Sequence, residues 1–577
     1  MPWLRPHRRQ LAIGSIAVIV TNAFASVGPL LLKRGIDALE AGSRGEVRRW
    51  ALLLVAAAAF DGVFRYLMRR TWIGVSRDVE YDLRRRLYEH VQRLPLSYLR
   101  RYEAGDLMAR VTNDLNSVRM ALGPGLMYAF NTTVVLAFAL GLMFRISPML
   151  TLYALAPLPF VTLSVVLVMN RVHDRATKVQ EGFASLTTIA RESLDGVRVV
   201  KSFAREKGQL AGFEVVSRDY ADRNLSLARI QRLFYPSMAL FGGMAAVIVL
   251  WRGGTLVMSK QISLGTFVAF TGYLALLLWP MAALGWTVNL FQRGRASWER
   301  LLELLDAERE PLTAGGQAPS GRGDLRFEGV TFARGDREVL HEVQLHVPAG
   351  RRIALVGPTG SGKSTLLRLL ARLEEPTSGR IVLDGVPLGD WDLAALRGAL
   401  AVVPQDPFLF SESIAHNVEI GRHDADRSEV LRAASAAGLR EEIESFTEGW
   451  ETVVGERGVT LSGGQRQRAT LARALVRDAR VLVLDDAFAS MDGKTEEAIL
   501  EEIAPALRSR TVILVSHRLS TIRRADHVVY LEHGRILEEG THDDLVRRSG
   551  RYAAYIRRQR LFERLTAPNL ADAEDAA

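Results

Sequence analysis

Cysteine is absent from the 577 residues. That excludes disulfide stapling, thiol catalysis, thiolate-bound zinc and iron–sulfur clusters, and it leaves the redox compartment unreadable. Glycine follows no fixed period, so a collagen-like chain is excluded. With 48% hydrophobic and 24% charged residues, the chain is too apolar to remain disordered. Charge is also missing locally. Residues 10–32, 121–144, 146–170, 233–251 and 261–292 contain no Asp, Glu, Lys or Arg. No run of that length occurs after Arg300.

Crossing a bilayer core of about 30 Å takes about 20 apolar helical residues. Five runs meet that length, and a sixth, 50–72, meets it with Asp61 and Arg65 inside. Four positions apart, those two share a helical face and can pair. A charge in a substrate path is the alternative. The first run is too long for a signal peptide and lacks a clean cleavage site. Arg5, Arg8 and Arg9, the Arg-dense stretch 69–119 and the stretch 171–232 put both termini on the inner face. Residues 79–101 and 176–205 are expected as amphipathic helices continuing the spans beyond the membrane. The net charge of +10 suits a membrane surface. No aromatic stacking set accompanies the basic residues, so no nucleic-acid partner is expected.

The second half reads differently. Residues 307–324 are rich in Gly, Pro and charge and read as a linker. An α/β domain is expected over 325–560, after a membrane domain over 1–306 and before a tail over 561–577. Strand-like runs cover 325–332, 339–347 and 352–356. The last is followed by Gly357, Pro358, Thr359, Gly360, Ser361, Gly362, Lys363, Ser364 and Thr365, then by a helical pattern. A buried strand, this glycine-rich loop and a helix form the setting of a phosphate-binding loop. Backbone N–H groups and the helix N-terminus face the phosphates. Lys363 reaches the β- and γ-phosphates, and the Ser364 hydroxyl is a ligand for Mg²⁺. Strand 481–484 ends in Asp485, which fits a second Mg²⁺ ligand. Strand 511–515 runs into Ser516 and His517, placing His517 beside the same site. Between them Ser462, Gly463, Gly464 and Gln465 offer a second backbone nest for anionic oxygens.

With these motifs in place, the chain resembles the ATP-binding cassette (ABC) exporters over nearly its whole length. It resembles a half-transporter, an α-helical six-span transmembrane domain followed by an α/β P-loop NTPase domain. The resemblance adds Gln405 as the Q-loop glutamine and a Mg²⁺ ligand, Glu456 before the signature, and residues 461–465 as the signature. It makes His517 the switch histidine, and the stretch after Pro95 the first coupling region. It implies ATP and Mg²⁺ as cofactors and a second half-transporter as partner. Each ATP would lie between one phosphate loop and the Ser462, Gly463, Gly464 and Gln465 nest of the other half. The implied location is the inner or plasma membrane, with the N-terminus and ATPase domain cytoplasmic. The nearly uncharged spans, with Asn22, Asn131, Asn289 and Gln292 as main polar groups, point to amphipathic or hydrophobic cargo: small molecule, lipid or peptide.

Three positions depart from the family pattern. Asp486 stands where a catalytic glutamate follows Asp485. Ala489, Ser490 and Met491 precede Asp492 where Ser-Ala-Leu is usual. Arg334 stands where an aromatic residue stacks on adenine, a role a guanidinium can also fill. A degenerate phosphate-loop side with an intact signature resembles one half of a bacterial heterodimeric multidrug exporter. A homodimeric exporter and an ATP-binding gate that does not pump are the alternatives.

Overall fold

The computed structural model describes residues 2–310 and 320–566. Half of the linker reading, 311–319, and most of the tail reading, 567–577, lie outside the described residues, while 561–566 continue the helix Arg551–Thr566. The chain divides into two compact units. One holds Met1–Leu94 with Tyr102–Glu308, and the other holds Pro95–Arg101 with Arg309 onward.

The first unit is helical throughout. Arg8–Glu40 and Arg44–Val91 form a long hairpin whose tight turn contains Gly42 at φ +74°. Their approach is close: a Cβ on Gly14 would lie 2.5 Å from Thr71 Oγ1. The helix 104–146 contains two π-helical turns, Arg110–Asp114 and Ala121–Gly125, the second around Pro124. Proline lacks the amide that a regular turn needs. Phe234–Met258 and Leu264–Leu305 follow later in the chain. Among the described residues four helices are long and apolar enough to cross a membrane, and Leu264–Leu277 is a shorter apolar stretch.

Some expected boundaries move. The uncharged run 146–170 is not one helix: Pro148–Leu155 ends before Leu158–Asp195 begins, with prolines at both starts. The uncharged run 233–251 stops at Arg252, but the helix Phe234–Met258 continues through it. The helix expected over 79–101 ends at Val91, and the one over 176–205 ends at Asp195 and resumes as Val197–Ser202. Asp61 and Arg65 do pair, at 2.8 Å. Asn22 donates to Asn131 Oδ1 at 2.9 Å and to Val18 O at 2.8 Å. Two polar groups that pointed toward cargo are thus engaged with each other, as buried amides between membrane helices usually are.

Among its described residues the second unit contains ten strands: β1 (Leu325–Arg334), β2 (Arg337–Val347), β3 (Arg352–Val356), β4 (Ser378–Leu383), β5 (Val386–Pro387), β6 (Leu400–Val403), β7 (Val481–Asp485), β8 (Thr511–Val515), β9 (His527–Glu532) and β10 (Arg535–Gly540). An antiparallel sheet has the order β2-β1-β4-β5, and a six-stranded sheet the order β10-β9-β3-β8-β7-β6. Within the latter only β9 and β10 are antiparallel. Strands β7 and β8 are buried along their full length, as apolar runs covered on both faces must be. Because β3, β8 and β7 are neighbours and parallel, their C-terminal ends lie side by side. In open α/β sheets that edge is where ligands bind.

Candidate functional site

Gly357, Asp485 and Ser516 terminate these three adjacent strands, so the sheet itself gathers the predicted residues. A cavity of about 280 Å³ is lined by the phosphate loop together with Arg334, Gln405, Asp485, Asp486 and His517. Lys363 opens the helix Lys363–Leu370. Its ammonium donates to Gly357 O at 2.8 Å and Pro358 O at 2.9 Å, which holds it inside the curve of the loop. Burial lowers its pKa, and Asp485 and Asp486 oppose that shift. Gly362 adopts φ +108°, and a Cβ there would meet Leu340 Cδ2 at 2.7 Å, so only glycine fits the turn into the helix.

Burial raises the Asp485 pKa, and Asp486 adds to the rise. A hydrogen bond from Ser364 and the charge of Lys363 work against it. The Ser364 hydroxyl and the Asp485 carboxylate are therefore adjacent hard oxygen donors, the type Mg²⁺ takes. Among the described residues no cluster of three or more His, Asp or Glu side chains forms a metal cage.

Asp486 sits at φ +52°. Aspartate is enriched several-fold among non-glycine residues in this region. Its N–H donates to Val515 O at 2.9 Å, which fixes the bend at the end of β7. Burial, then the charge of Lys363, lowers the His517 pKa, while Asp486 and Asp485 oppose this. Burial thus favours the neutral imidazole. Its Nδ1 lies 2.6 Å from Tyr555 Oη.

Arg334 lines the cavity, and its guanidinium donates to Glu374 Oε1 at 3.3 Å. The same oxygen accepts from Arg100 at 2.5 Å, and the other oxygen accepts from Arg368 at 3.4 Å. The nest lies elsewhere on the unit. Ser462 is exposed and caps the helix Gly463–Leu475, in a reciprocal box with Gln465. The Gln465 side-chain oxygen accepts from Ser462 N at 2.8 Å, so this residue serves its own helix end.

Several residues that sequence reasoning missed hold these parts together. Gln467 donates to Asp486 O at 2.9 Å and accepts from Ser490 N at 2.8 Å, linking the signature helix to the segment after β7. Arg473 donates to Phe408 O and Asn417 O, binding that helix to the stretch after Gln405. Arg518 pairs with buried Glu496 and donates to Met491 O at 2.6 Å. Gln467 stands two residues past the signature, which was read for its glycines. Nothing in its spacing announced a partner at Asp486.

Comparison with known proteins agrees with this geometry. Residues 11–281 match the ABC transporter transmembrane region, and residues 340–489 match the ABC transporter family. The multidrug resistance-like ATP-binding protein MdlA of Escherichia coli is 35% identical, over 100% of this chain and 99% of its own. An ATP-dependent lipid A-core flippase of Photobacterium profundum is 32% identical, over 96% of each chain. A bacterial Atm1-family ABC exporter solved with ATP bound superposes with a TM-score of 0.79 at 29% identity, covering 96% of this chain and 99% of that one. The chain therefore belongs to the ABC transporter family, as a transmembrane region fused to an ATPase domain that binds ATP and couples its hydrolysis to transport.

Proposed function

We propose that this chain is one half of an ATP-driven exporter of amphipathic or hydrophobic compounds, acting in the inner or plasma membrane with its ATPase unit cytoplasmic. We place a slow ATP site at its own phosphate loop and a working signature that serves a second, different half. The observation that carries this reading is Asp486. It lines the cavity of the phosphate loop, stands where the family resemblance puts the water-orienting carboxylate, and is one methylene shorter than the usual glutamate. Misplacement by about 1 Å can cost on the order of 10²-fold in rate. The names borne by MdlA and the lipid A-core flippase support the cargo class.

In this reading the loop amides and Lys363 bind the phosphates, and Arg334 stacks on the base. Ser364, Asp485 and Gln405 hold Mg²⁺. Bound there, the ion neutralises charge on the transferring phosphate. Neutral His517 donates to the terminal phosphate, and Asp486 orients water imperfectly. Ser462, Gly463 and Gly464 present a hydroxyl and helix N-terminal amides to ATP on the other half. Purified alone, the chain is expected to turn over ATP well below about 1 s⁻¹, the low end of ordinary enzymes. A steady-state rate at or above that value contradicts the paired reading and favours a homodimer.

A further inference from the structure

His517 and Tyr555 come from distant parts of the chain. One follows β8, and the other lies in the C-terminal helix Arg551–Thr566. That helix buries Tyr552 and Ile556 in a cluster containing Ala354, Val528 and Tyr530. Any apolar side chain at 555 would extend this stripe. Tyrosine adds a hydroxyl, and it lies 2.6 Å from His517 Nδ1. The ionisable groups facing the imidazole are Lys363, Asp485 and Asp486 in addition to Tyr555. Burial, with Tyr530 and Asp486 adding to it, pushes the Tyr555 hydroxyl up to about 12, so it keeps its proton. Toward an imidazole whose neutral form burial favours, the protonated hydroxyl donates and Nδ1 accepts. In a neutral histidine the bond made by one nitrogen decides which nitrogen carries the proton. Here that nitrogen is Nε2.

We infer that Tyr555 is a positioning residue that locks His517 in the tautomer offering Nε2–H to the terminal phosphate of ATP. The C-terminal helix is thereby part of the nucleotide-sensing machinery. This rests on the assignment of His517 to that phosphate. The bond has no counterpart in ADP, so Tyr555 should set the preference for triphosphate over diphosphate.

The test is equilibrium binding of AMP-PNP and of ADP, each with Mg²⁺, to full-length protein. Wild type, Tyr555→Phe, His517→Ala and the double variant are compared. Tyr555→Phe is expected to weaken AMP-PNP about three- to tenfold, the range of one hydrogen bond, and to leave ADP unchanged. ADP binding also verifies the fold. In the His517→Ala background Tyr555→Phe should add nothing, because the two act as a unit. Equal losses for both nucleotides, or an undiminished loss in that background, would mean a packing role and overturn the inference. If His517→Ala weakens AMP-PNP and Tyr555→Phe does not, this inference alone falls. If His517→Ala changes neither affinity, the assignment of His517 falls and takes the inference with it.

Discussion

Replacing Lys363 with alanine is expected to reduce the affinity of this chain for ATP on the order of 10²-fold, the scale of removing one partner from a buried charge contact. The ammonium is enclosed by the carbonyls of Gly357 and Pro358 and shares its cavity with Asp485 and Asp486. Without it, two carboxylates and the phosphates face one another with no fixed cation between them. Lys363→Arg should rescue little. A planar guanidinium directs its donors in a fork and does not fit a loop shaped around a compact ammonium. Titration with a fluorescent ATP analogue, alongside thermal unfolding to verify the fold, reads the effect. Retained affinity in Lys363→Ala would place the nucleotide elsewhere.

The second large effect separates the two faces of the ATPase unit. In the assembled transporter Gly464→Asp should lower ATPase activity by about 10²-fold or more, the loss seen when one anion-stabilising group is removed. Asp486→Asn should lower it only modestly. Gly464 lies in the first turn of Gly463–Leu475. A carboxylate there suits the helix dipole, so the helix itself tolerates the change. The added Cβ would sit 3.2 Å from Ser490 O, so thermal unfolding of the variant accompanies the assay. What the carboxylate does not tolerate is a phosphate at the same helix end. Steady-state ATPase of the two variants, both assembled, makes the comparison. Equal damage from both would mean that Asp486 does the work of a glutamate, in an ordinary exporter half.

Charge gaps and the phosphate loop made both halves of the chain legible in the sequence. An uncharged run reports where a chain can meet lipid, but not whether the helix is continuous. The break between Leu155 and Leu158 was therefore missed inside a run with no charge. Conversely, Arg252 ended a run without ending its helix. In the ATPase unit the apolar strands were found because strands buried on both faces read as near-continuous apolar runs. Their order, β3-β8-β7, is what brings Lys363, Asp485 and His517 to one cavity. Strand order is a long-range property with no local signal. The same holds for Glu374, which collects Arg100, Arg334 and Arg368 from three segments, and for Gln467 and Tyr555. Their partners are set by packing, whereas Lys363 and Ser364 are set by a motif. The left-handed backbone at Asp486 is likewise imposed by the bend after β7.

Pumping by the assembled transporter has a direct measurement. Inside-out membrane vesicles carrying this chain with its second half should accumulate a fluorescent amphipathic compound above the outside concentration when ATP and Mg²⁺ are supplied. Accumulation should be absent with ADP, and absent in vesicles whose chain carries Gly464→Asp. Equilibration across the membrane without accumulation, under conditions where the complex binds ATP, would show a gate and not a pump.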